Sequence, residues 1–137
     1  MRRTFPASGY HQLAEFRHAI RQFLHFSEQA ARDNGIEPQQ HQLLLAIKGL
    51  PQDLRPTVSV LSERLCLKHH STVELINRLV ERGAAARHHS EDDRREVLVE
   101  LTPEGETILR RLSFLHWQEL QTSGPALCQA LRAIVQQ

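Results

Sequence analysis

The 137-residue chain has 17 Lys or Arg and 16 Asp or Glu residues, which gives a net charge of +1. A total charge this close to zero does not by itself indicate a protein that binds nucleic acid. A chain of this length is too short for two independent cores, and we expect one domain. Its two cysteines exclude a disulfide framework, and the lack of a long apolar run or a signal-peptide core predicts a cytoplasmic protein with no membrane partner.

The first predicted element is a long helix from Tyr10 to Asn34, ended by Gly35 and preceded by a frayed segment up to Gly9. One face carries its apolar residues, which are Leu13, Phe16, Ile20, Phe23, Leu24, Ala30 and Ala31. The opposite face carries a row of histidines, which are His11, His18 and His25. Chelating pairs on a helix are usually three or four residues apart, so this row favours a solvated face over a metal site.

The second predicted helix runs from Pro38 to Lys48, with proline at its first position and Gly49 after its end. Its apolar residues are nearly continuous, which predicts burial on most sides; they are Leu43, Leu44, Leu45 and Ile47. A loop over residues 49–56 follows. The segment from Arg55 to Thr57 is a candidate third strand beside a later hairpin.

A short helix and a tight turn come next. Thr57 is the expected N-cap of the helix, whose apolar residues are Val58, Val60, Leu61 and Leu65. The turn covers residues 66–68, which are Cys66, Leu67 and Lys68.

The helix after the turn runs from about His69 to Arg82 and stops at Gly83. Lys68 is a poor N-cap for it. An alternative start at Ser71, with Glu74 at capping-box spacing, would leave the two histidines His69 and His70 outside the helix.

This helix divides into an apolar side and a polar side on a wheel of about 3.6 residues per turn. The apolar side consists of Val73, Leu75, Ile76, Leu79 and Val80. The polar side consists of His70, Ser71, Glu74, Asn77, Arg78 and Glu81. Arginine pairs with guanine and asparagine with adenine, and a helix N-terminus suits a phosphate, so the polar side is a candidate reader of the major groove. An ordinary solvated face is the alternative.

A β-hairpin with a charged tip is predicted after Gly83. Residues 84–89 lead to the charged run 90–95, and residues 96–101 have the β-branched, partly alternating pattern of a strand. An arginine at such a tip can enter the narrow minor groove, where the negative potential is strongest, and a nearby aspartate can hold it extended. A solvated turn with an internal ion pair is the alternative. Helix, turn, helix and hairpin together have the layout of a winged helix-turn-helix.

The chain closes with two predicted helices. Thr102 caps the first, with Pro103 at its first position, and this helix runs to about Gln121. The segment 123–125 (Ser-Gly-Pro) is expected to break it and begin the second. Both helices and the first helix of the chain carry apolar stripes. We therefore expect two copies to pair with two-fold symmetry and to bind half-sites about 10 bp apart.

These residues resemble the MarR family of bacterial transcription regulators. The segment from Asp93 to Gly105 fits that family's wing signature, which is D-x-R, five residues and then L-T-x-x-G, with the signature arginine at Arg95. Residues 61–65, 71–73 and 78–83 and Arg87 are also similar, and a looser resemblance covers about residues 42–112. The resemblance implies a homodimer with helix 69–82 in the major groove, the wing 87–101 in the minor groove, and Asp93 bracing Arg95.

The implied fold is mainly α with a small β-wing, in one domain over residues 1–137. Segments 10–35 and 106–137 are the expected dimerisation helices, and 38–105 is the expected DNA-binding lobe. The expected partner is double-stranded DNA with a pseudo-palindromic operator. The expected DNA contacts are Lys68, His69, His70, Ser71, Thr72, Glu74, Asn77, Arg78, Asp93, Arg94 and Arg95.

The resemblance also implies a repressor that releases DNA when a small aromatic or anionic effector binds between the dimer helices and the DNA-binding lobe. Candidate effector contacts are Phe16, Arg17, Phe23 and His41, with core packing as the alternative for the apolar ones. We find no catalytic residue set, and we expect no enzyme activity, cofactor or metal. Two alternative functions are a protein–protein interaction module and a redox sensor acting through Cys66, whose cationic neighbours would favour the reactive thiolate.

Overall fold

The computed structural model describes residues 2–137, which form five α-helices and one two-stranded antiparallel sheet. The elements in chain order are α1 (Ala7–Asp33), α2 (Pro38–Lys48), α3 (Val58–Leu65), α4 (His69–Glu81), β1 (Ala85–His89), β2 (Val97–Leu101) and α5 (Pro103–Val135). The prediction of a mainly α fold with a small β-wing is confirmed. Over the described residues, no helix combines the length and the apolar character that crossing a membrane requires.

The chain divides into two compact units. The first unit comprises the chain up to Ala30 together with Ser113–Gln137, and the second is Ala31–Leu112. The second unit has a core of aliphatic side chains from its helices and its sheet. The fully buried ones are Leu43, Leu44, Leu61, Ile76, Leu79, Val99 and Leu112. Burial of each such side chain contributes about 1.5–3 kcal/mol, so this core fixes α4 against α2, α3 and the sheet.

Helix α1 begins earlier than predicted. It starts at Ala7, so residues 7–9, which we expected to be frayed, are helical. The Phe5 ring packs edge-on against Tyr10 with ring centroids 4.9 Å apart, and this contact stabilises the first turn. The helix is followed by Gly35 at φ +75°, the glycine predicted after its end.

Helix α2 has the predicted bounds and most of the predicted burial. Glu37 and Gln40 form a capping box at its start, with the Glu37 N–H donating to Gln40 Oε1 at 3.2 Å. Leu43 and Leu44 are buried, whereas Leu45 is 46% exposed. The prediction holds for Leu43 and Leu44 but not for Leu45, which lies on the row of positions that the neighbouring α3, α4 and β2 leave exposed.

The helix-turn-helix is formed by α3, residues 66–68 and α4. Thr57 Oγ1 accepts a hydrogen bond from the Val60 N–H at 3.2 Å, which confirms the predicted N-cap of α3. Cys66 ends α3 in the left-handed region at φ +56°. Helix α4 begins at His69, and the Thr72 N–H donates to the Lys68 carbonyl at 3.0 Å. The alternative start at Ser71 is therefore wrong, and both histidines lie in the helix.

Strands β1 and β2 pair in register from Ala85 opposite Leu101 to His89 opposite Val97. The predicted third strand near Arg55 does not form within the described part of the chain, whose sheet has two strands. The Val99 N–H nevertheless donates to the Pro56 carbonyl at 3.0 Å, so this loop is attached to β2 by one backbone hydrogen bond.

The start of α5 lies directly against the end of the α4–β1 turn. Thr102 Oγ1 accepts from the Gly105 N–H at 3.1 Å, which confirms Thr102 as the N-cap. The Thr102 N–H donates to the Ala84 carbonyl at 3.1 Å. A Cβ atom on Gly105 would lie 2.0 Å from the same carbonyl oxygen, so only glycine fits this approach.

Helix α5 is continuous from Pro103 to Val135, so the predicted break at residues 123–125 is wrong. A proline normally disfavours helical backbone at the residue before it, partly through a clash with that residue's Cβ. Gly124 has no Cβ, which removes this part of the clash. Thr122 Oγ1 and Ser123 Oγ donate to carbonyls one turn earlier in the helix, at 3.3 Å and 2.9 Å.

Candidate nucleic-acid interface

One side of α4 is exposed and polar. Lys68, just before the helix, is exposed, and so are the helix residues His69, His70, Glu74, Asn77, Arg78 and Glu81, whereas Ser71 is half-buried. Thr72, which we expected among the DNA contacts, is fully buried, and its hydroxyl donates to the Lys68 carbonyl at 3.0 Å. The Thr72 side chain is therefore part of the core and not of this surface.

The wing tip, defined here as residues 90–96, presents Asp93, Arg94 and Arg95 to solvent. Asp93 Oδ1 accepts a hydrogen bond from the backbone N–H of Arg95 at 3.0 Å. The Asp93 carbonyl accepts another from the Glu96 N–H at 3.0 Å. Asp93 thus shapes the backbone turn, which corrects the expectation that its carboxylate braces the Arg95 guanidinium.

Arg55 is joined to the wing tip, a role that the sequence analysis missed. Its guanidinium donates to Asp92 Oδ2 at 2.8 Å, to Glu96 Oε1 at 2.5 Å and to Ser90 Oγ at 3.1 Å. The hydrogen bonds that it donates to Asp92 and then to Glu96 raise the pKa of Arg55 above its ordinary value, so it stays cationic. The one sequence feature that placed Arg55 near the wing is its position beside Pro56, in the segment predicted as a third strand.

Arg87 connects the sheet to the exposed side of α4. Its guanidinium, on β1, donates a hydrogen bond to Asn77 Oδ1. The sequence singled out Arg87 only through the family resemblance. Its contact with Asn77 was not predicted, because no local sequence pattern connects a strand residue with the middle of the preceding helix. The hydrogen bond orients the Asn77 amide, so Arg87 belongs to the site.

The four candidate effector residues lie in different surroundings. Phe16 and Phe23 are half-buried and Arg17 is exposed in the first unit, where Phe23 lines a cavity of about 60 Å³. His41 belongs to the second unit, where it is 2% exposed and its Nδ1 lies 3.3 Å from Gln42 Nε2.

Taking residues 2–137, we find no group of three or more side chains placed to hold a metal ion.

The MarR family model matches residues 34–96 of this chain. A comparison with curated protein sequences found no match.

Several solved structures are similar to the chain, among them a MarR family transcriptional regulator. AbsC from Streptomyces coelicolor is 17% identical with a TM-score of 0.76, over 98% of this chain and 97% of AbsC. A MarR variant from E. coli complexed with operator DNA is 22% identical with a TM-score of 0.70, over 88% and 87% of the two chains. BpsR from Bordetella bronchiseptica is 22% identical with a TM-score of 0.66, over 88% and 92%. These similarities establish the winged-helix fold for this chain.

Proposed function

With residues 34–96 belonging to the MarR family, we propose that the chain is a sequence-specific DNA-binding transcription regulator that acts as a homodimer. The observation that carries the proposal is the pairing of an exposed polar side on α4 with an arginine-bearing wing tip in the same unit. In this proposal α4 occupies the major groove and the wing tip enters the adjacent minor groove.

The exposed side of α4 has suitable chemistry for a major groove. Arg78 can donate a pair of hydrogen bonds to guanine, and the Asn77 amide can reach a base edge. The free N–H groups of the first turn, at His69 and His70, suit a phosphate oxygen. The proposed contacts of the helix are therefore Lys68, His69, His70, Ser71, Glu74, Asn77 and Arg78.

The wing tip has two arginines available for DNA. Within residues 2–137, neither the Arg94 nor the Arg95 guanidinium takes part in an ion pair, and both side chains are exposed. A narrow minor groove attracts such groups because its negative potential is enhanced. We assign the minor-groove contact to Arg95, at the signature position, with Arg94 beside it on the phosphates.

The first unit supports the proposal of a homodimer. Its two helical segments expose large apolar side chains, including Trp117 at 71% and Phe114 at 69% exposure. Further exposed apolar residues of this unit are Leu13, Leu24, Leu115, Leu120, Leu131 and Val135. A large apolar surface of this kind usually marks an interface. A two-fold pair would bury it and would offer two α4 helices to half-sites about 10 bp apart.

We further propose that the regulator is a repressor whose DNA affinity falls when a small molecule binds. The support is by analogy: the DNA binding of BpsR is regulated by 6-hydroxynicotinic acid. An effector that binds better to a form with a different spacing of the α4 helices lowers the population that fits DNA.

Selection of bound fragments from random double-stranded DNA tests the proposal. We expect a pseudo-palindromic motif with half-sites about 10 bp apart, a dimer by sedimentation, and affinity that falls steeply as salt rises. A protein–protein interaction module would enrich no sequence. Failure to enrich a motif, together with salt-independent behaviour, would refute DNA reading and leave that alternative.

A further inference from the structure

We propose that Arg55 is a positioning residue for DNA binding, because its guanidinium holds the wing tip in place from the loop before α3. It lies outside the helix-turn-helix and outside the wing, and the family signature does not include it. The inference rests on the proposed function, since the position of the wing tip matters only if the tip contacts DNA.

One guanidinium makes three contacts with the wing tip. Its Nη2 donates to Asp92 at 2.8 Å, and its Nη1 donates to Glu96 at 2.5 Å and to Ser90 Oγ at 3.1 Å. We call Arg55, Ser90, Asp92 and Glu96 the Arg55 network. Ser90 is 5% exposed, and its Oγ also accepts from the Asp92 N–H at 3.3 Å. The network therefore joins the buried Ser90 at one side of the tip to two of the acidic side chains of the tip, Asp92 and Glu96.

The backbone of the loop is held to the wing as well. The Val99 N–H donates to the Pro56 carbonyl at 3.0 Å, next to Arg55, and Val99 is fully buried in the core. The Arg55 carbonyl accepts from the Thr57 N–H at 2.8 Å. The backbone at Arg55 is thus fixed to the packed part of the unit. Its side chain can therefore restrain the wing tip, whereas a side chain on a mobile loop would move together with the tip.

The charges of the wing tip explain why it needs this cation. The wing tip has two arginines and four acidic residues, which are Glu91, Asp92, Asp93 and Glu96. Free carboxylates beside Arg94 and Arg95 would pair with those guanidinium groups and would repel phosphates. Arg55 engages two of the carboxylates, and the Asp93 carboxylate accepts from the Arg95 backbone N–H. Arg94 and Arg95 therefore remain available for DNA.

A direct contact between Arg55 and a phosphate is the competing explanation, because its side chain is about half exposed. A double-mutant cycle separates the two. We expect Arg55→Ala to lower operator affinity roughly tenfold, the size of one lost arginine contact. In an Asp92→Ala, Glu96→Ala background the same change should alter affinity little, because both side-chain acceptors of the Arg55 guanidinium at these positions are already gone. Equal losses in both backgrounds would mean that Arg55 contacts DNA itself, and the proposal would be overturned.

Hydrogen exchange on the free protein tests the Arg55 network without DNA. In Arg55→Ala the amides of Ser90, Asp92 and Glu96 should exchange faster than in the wild type, while amides of α4 should not change. Unchanged exchange at the tip would overturn the proposal even if DNA affinity fell. Arg110→Ala removes the same charge from an exposed position on α5 and should leave both measurements at wild-type values. If the wild type binds no DNA, the proposed function is refuted. The exchange result would still show whether the Arg55 network holds the wing tip in place.

Discussion

The Arg87 guanidinium on β1 donates a hydrogen bond to Oδ1 of Asn77 on α4. The amide oxygen accepts this one hydrogen bond and keeps a second lone pair, and both N–H groups of the Asn77 amide remain donors. Asparagine binds adenine by donating to N7 and accepting from the N6 amino group, whereas a donor alone can contact N7 of either purine, O6 of guanine or O4 of thymine. Because the Arg87 guanidinium competes with the adenine amino group for Oδ1, we expect this contact to weaken the preference of Asn77 for adenine.

The first prediction concerns that preference. Arg87→Ala removes the donor that competes for Asn77 Oδ1, so we expect adenine to be selected more strongly at the base pair facing Asn77. Selection from random DNA with both proteins measures the shift. Asn77→Ala should remove the preference at that base pair, which identifies it. Identical motifs for the wild type and Arg87→Ala would show that the hydrogen bond plays no part in specificity.

The second prediction concerns the wing tip. Arg95→Ala should weaken operator binding by about 1–3 kcal/mol, because it removes the proposed minor-groove contact. Arg94→Ala is the matched control: it removes an adjacent charge and should reduce specific and non-specific affinity by the same factor. Titration of operator and random DNA at one salt concentration measures both effects. Wild-type affinity in Arg95→Ala would rule out its assigned role.

The third prediction concerns the close approach of α5 to the end of α4. Gly105→Ala should lower the free energy of unfolding by about 1–3 kcal/mol, because its Cβ would meet the Ala84 carbonyl oxygen at 2.0 Å and the helix start must move. Chemical denaturation measures the change. Arg110→Ala, an exposed substitution on the same helix, should stay within about 0.5 kcal/mol of the wild type. Equal stability of all three proteins would contradict the packing described.

The fourth prediction concerns the turn before α4. Cys66 has φ +56°, a conformation that costs an L-residue about 1 kcal/mol and costs glycine little. Cys66→Gly should therefore raise the melting temperature, while Cys66→Ser should leave it nearly unchanged.

Peroxide treatment of the wild type and Cys66→Ser tests the redox alternative, since the thiol is free and exposed. Equal loss of DNA binding in both would discard a sensing role for Cys66.

Local signals in the sequence predicted most of the element boundaries. Thr57 and Thr102 cap helices where expected, and Gly83 follows α4, because each depends only on a few neighbouring residues. The errors arise where distant residues decide. Arg55 meets partners 35 to 41 positions away, and no periodicity in either segment reports such a contact. Thr72 lies beside polar neighbours in the sequence, but the core covers it.

The hydrogen bond between Val99 and Pro56 has a practical consequence for protein engineering. A ribbon of two five-residue strands is marginal by itself, and here it has a further attachment in the loop before α3. A chimera that transplants residues 85–101 onto another scaffold would leave that attachment behind. Exchange of the whole segment 55–101 would carry it along, so the smallest interchangeable module is longer than the hairpin.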